Sequence, residues 1–130
     1  MATITVNAAD VALVRVDSAG GARSFPAAAA IDAGHVVSLN ASGRATASGT
    51  NMEGFAVTSA KQAGAAIDVI RSGIVDLGDA LASLAFGAAV YAAPDGSLDD
   101  SSNAGANPQI GYVTASNGEI PSRKLLAVEV

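Results

Sequence analysis

Apolar residues along this chain come in short runs, each closed off by Gly, Ser, Asn, Asp or Pro. From residue 31 onward the runs are His35–Asn40, Gly54–Thr58, Ile67–Arg71, Gly73–Asp76, Ala89–Ala92, Ile110–Thr114 and Lys124–Val130. Short strands at such spacing predict an all-β barrel or sandwich. The final RKLLAVEV sets Leu126, Val128 and Val130 against Ala127 and Glu129, the alternation of a half-buried strand. Pro94-Asp95-Gly96 and Asn117-Gly118 predict tight turns, the second a two-residue hairpin loop. One stretch reads as helical: in GDALASLAFG, residues 78–87, Leu81 and Leu84 recur three apart with Asp79 near the start. A short helix or a tight loop is expected there.

Residues 1–30 follow a looser pattern. Thr3–Val6 and Val11–Val16 can each extend as a strand, Asn7–Asp10 and Ser18–Gly21 resemble turns, and Phe25-Pro26 is expected to interrupt any ladder. The chain therefore divides into 1–30, an extended N-terminal arm or first strands, and 31–130, the β domain.

Two stretches of that domain repeat one another. In GHVVSLNASGRA (34–45) and GAAVYAAPDGSL (87–98), Gly34, Val37 and Gly43 match Gly87, Val90 and Gly96 at one constant offset. Each stretch is followed by a Gly-aromatic step, Gly54-Phe55 and Gly111-Tyr112. A hairpin-like unit used twice is predicted: a Gly at the strand start, a Gly in the turn, and an aromatic anchor on an Ala-rich surface. The polar segments Ala45–Glu53 and Asp99–Gln109 become loops of variable length on a rigid frame.

Composition narrows the function. Half of the 130 residues are hydrophobic, but aromatics are 4% and Trp is absent, so apolar area per residue is low. Burial is worth about 25 cal/mol per Å² and Ala supplies little area, which favours partner subunits. A net charge of -5, with seven Lys and Arg scattered along the chain, argues against direct nucleic-acid binding. With no Cys there is no disulfide framework or thiolate chemistry. No apolar run reaches the ~20 residues of a membrane span, and the first residues do not read as a secretion signal. A soluble protein is expected.

Candidate catalytic chemistry is sparse, and no enzyme is expected. His35 is the one histidine and reads as an ordinary surface or edge residue. Asp95, Asp99 and Asp100, with Ser97, Ser101, Ser102 and Asn103, form an oxygen-rich loop of the kind that ligates Ca²⁺. The D-x-D-x-D-G spacing and its closing Glu are missing, so the loop reads as solvated and no metal or cofactor is assigned. Ser59 and Lys61 are too common a pairing to define a dyad, and Asp76 and Asp79 read as a strand end and a cap.

The motifs taken in order resemble a known family. DAGHVVSLNASGRA, then MEGFAVTSAKQAGAAIDVIRSGIVD, LAFGAAVYAAPDGSLDD and IGYVTAS are similar to the small decoration, or cement, proteins of tailed-bacteriophage capsids, over roughly residues 31–116. The resemblance implies a β-barrel or β-tulip, often trimeric, that binds the outside of an assembled head through its major capsid protein. It would be made in the host cytoplasm and end on the virion surface. Residues 1–30 carry none of these motifs. Their apolar positions Ile4, Val6, Val11, Leu13 and Val14 are the candidate capsid-binding residues, able to add a strand to a neighbouring edge if the segment is free. As first strands of the same domain, they would be used internally. The alternatives are a surface- or carbohydrate-binding β-module and an accessory enzyme with a β-clip-like sheet.

Overall fold

A computed structural model of the chain describes residues 3–19, 21–116 and 122–130. They form twelve strands: β1 (Thr3–Ile4), β2 (Ala12–Val16), β3 (Arg23–Pro26), β4 (Val36–Leu39), β5 (Ala45–Ala47), β6 (Met52–Ala56), β7 (Ala66–Ile70), β8 (Ser72–Asp76), β9 (Ala89–Ala92), β10 (Leu98–Asp99), β11 (Gln109–Ala115) and β12 (Lys124–Glu129). The protein is all-β, built of two antiparallel sheets. One has the order β3-β7-β6-β4-β5 and the other β1-β10-β9-β11-β12-β8-β2. Neither sheet closes into a barrel among the described residues.

The doubled sequence pattern is a doubled sheet. The five-stranded order β3-β7-β6-β4-β5 recurs, strand for strand, as β8-β12-β11-β9-β10 in the middle of the larger sheet. Register agrees pair by pair. Val36 faces Phe55 as Ala89 faces Tyr112, and Val37 faces Gly54 as Val90 faces Gly111. Across the next strand, Phe55 faces Ile70 as Tyr112 faces Ala127. The loop bonds match as well: Gly34 N–H donates to Ala56 O and Ala56 N–H to His35 O, as Gly87 N–H donates to Val113 O and Val113 N–H to Ala88 O. Identical local bonding follows from the shared Gly-x-x-Val and Gly-aromatic spacing. Gly54 and Gly111 lie where the neighbouring strand comes closest, since a Cβ on them would meet Ile70 O at 2.5 Å and Ala127 O at 1.9 Å.

The two copies do not pack as mirror images. In the first copy Val36, Phe55 and Ile70 point into the main core between the sheets. Its opposite face, with Val37, Ala56, Ile67 and Val69, is covered by Ala27, Ile31 and Ala60 in a second core. In the second copy it is Val90, Val113 and Leu126, the equivalents of Val37, Ala56 and Val69, that fill the main core. The copies are thus stacked front to back, with the residue 27–33 segment closing one end. Backbone bonds between Ile31 and Ala60 in both directions, and from Ala27 and Ala28 to Ala65 O and Ala45 O, hold that segment down.

One expectation is corrected. Phe25-Pro26 does not interrupt a ladder: both pair with β7, because β3 is an edge strand whose outer side tolerates proline. For residues 78–87 the structure takes the loop alternative, a series of turns with Ala80, Ala82 and Leu84 N–H bonding three residues back. Leu81 of this stretch, and Leu77 just before it, are pulled into the main core, and that burial decides its path. A 3₁₀ turn occurs at Ala8–Asp10, capped by Asn7, whose side chain accepts from Ala9 N–H. The Asn117-Gly118 turn lies outside the described residues.

Candidate functional site: an uncovered sheet face

Front-to-back stacking has a consequence at its far end. The face of the second copy that corresponds to Val36, Phe55 and Ile70 carries Ala89, Tyr112 and Ala127; Ala127 is only 6% exposed and Ala89 half-buried, so the open part of this face centres on Tyr112. Tyr112 is 39% exposed where Phe55 is fully buried. Along the same ladder Ala127 pairs with Ile74, and Ile74 with Arg15 of β2. A β-bulge between Leu13 and Arg15 inserts Val14, which is 53% exposed. Together Val14, Ile74, Tyr112, Thr114 and Leu125 line an open groove of about 630 Å³. Leu125, only 3% exposed, forms its floor. An Arg15–Asp17 ion pair marks one rim, with Nε to Oδ1 at 2.8 Å. Asp76 and Arg123 pair on the side where β8 ends.

The five residues expected to bind a partner are separated by the fold. Residues 3–16 are not a free arm, because β1 pairs with β10 and β2 with β8 at opposite edges of the larger sheet. Ile4 is a core residue, and Val6 and Val11 pack against the core, so these three are used within the domain. Leu13 and Val14 are 40% and 53% exposed, and Val14 belongs to the groove. Ile74 and Leu125 of the groove carry no mark in the sequence pattern, and Tyr112 is expected there only as an aromatic anchor. Tyr112 was legible in the Gly-aromatic repeat, but the face it takes was not.

Of the candidate catalytic residues, Ser59, Asp76, His35 and Asp95 make hydrogen bonds within the frame. Ser59 Oγ accepts from Ala33 N–H at 2.9 Å and pins the covering segment. Asp76 accepts from Gly78 N–H at 2.9 Å and pairs with Arg123. His35 Nδ1 lies 3.0 Å from Asp32 O. Asp95 accepts from the hydroxyl and the backbone N–H of Ser97, at 2.6 and 3.0 Å. Those two bonds hold its carboxyl below the ordinary aspartate value, and the charge of nearby His35 adds to the effect. No group of three or more His, Asp or Glu suited to a metal occurs among the described residues, and no helix there is long and apolar enough to cross a membrane.

Neither a scan against models of known protein families nor a search of curated proteins finds a match to this chain.

Proposed function

We propose that this chain is a capsid decoration, or cement, protein that binds the outer surface of an assembled tailed-phage head and bridges its major capsid subunits. One observation carries the reading. The motifs behind the resemblance are the residues that build the doubled sheet, and the stack they form ends in an uncovered apolar face around Tyr112 and Val14. A second copy of the chain has no free equivalent of the surface that covers Phe55, because residues 27–33 already close it. The uncovered face is therefore suited to a different protein, and the major capsid protein is the partner the resemblance implies. The two-sheet frame is read as the corresponding β-tulip-type domain. Trimer contacts are assigned to surfaces other than this face.

A ligand that binds only the finished head stabilises it by RT ln(1 + [L]/Kd), about 2.7 kcal/mol per site at a hundredfold excess over Kd. Three linked subunits, each touching more than one capsid subunit, multiply that effect. The test is co-sedimentation with unexpanded and expanded empty heads at graded concentration. Saturable binding to expanded heads alone is expected. Binding to neither form, or to glycans through the exposed tyrosine, refutes the reading.

A further inference from the structure

We draw no further inference here: the strongest candidate, the outer edge of β2 with its exposed Leu13 and Val14 at the end of the larger sheet, adjoins the groove already described, and nothing in the structure shows what covers it.

Discussion

Gly111→Ala tests the close approach on which the second copy of the sheet depends. Gly111 sits on β11, between β9 and β12. An added Cβ would lie 1.9 Å from Ala127 O and 3.0 Å from Ala127 C, roughly 1.5 Å short of ordinary contact with the oxygen. The obstacle is backbone, which cannot rotate aside as a flexible side chain does. Relief requires β11 and β12 to part locally, in a sheet whose strands normally lie about 4.8 Å apart. Overpacking costs about 1–3 kcal/mol, and each weakened ladder bond about 1 kcal/mol more, for a total near 3–4 kcal/mol. With a urea m-value of about 2 kcal/mol/M, the unfolding midpoint should fall by about 1.5–2 M.

Gly43→Ala is the control. Gly43 has φ +76, but its Cβ would meet nothing within 4 Å, so only the left-handed backbone is penalised, at about 1 kcal/mol. Gly54→Ala, with a 2.5 Å clash against Ile70 O, should fall between the two. Because the chain has no Trp, far-UV circular dichroism is the suitable probe of urea unfolding. If Gly111→Ala and Gly43→Ala shift the midpoint equally, or Gly111→Ala leaves it unmoved, the close-approach argument is wrong.

Two further outcomes are expected. The double variant Val14→Asp/Tyr112→Ser changes residues that are 53% and 39% exposed, so its thermal midpoint should stay near wild type while head binding falls at least tenfold. Retained binding in co-sedimentation would remove the uncovered face from the mechanism. The lowered Asp95 pKa means that its stabilising contribution is complete above the unfolded aspartate value of about 3.9 and disappears as pH falls through the lower folded value. Ser97→Ala removes the largest cause of that shift, so carboxyl NMR should find Asp95 titrating at higher pH; an unchanged titration would contradict the bond's role.

Strand positions, most turns and the doubled unit were legible in the sequence, because glycine spacing and short apolar runs act within a few residues of themselves. Gly34 and Gly87 make the same backbone bonds, and Val37–Gly54 has the same register as Val90–Gly111, as that local code requires. Equivalence ended at burial. Phe55 is enclosed while Tyr112 is 39% exposed, and Ile4 belongs to the core, in a segment that the sequence left open between a free arm and first strands of the domain. Residues 78–87, open in the sequence between a short helix and a tight loop, take the loop for the same kind of reason, since Leu77 and Leu81 are drawn into the core. The sequence determined two like sheets. Only the tertiary structure decided that they stack front to back, because which face meets which depends on burying whole surfaces against distant partners, and no local pattern carries that choice.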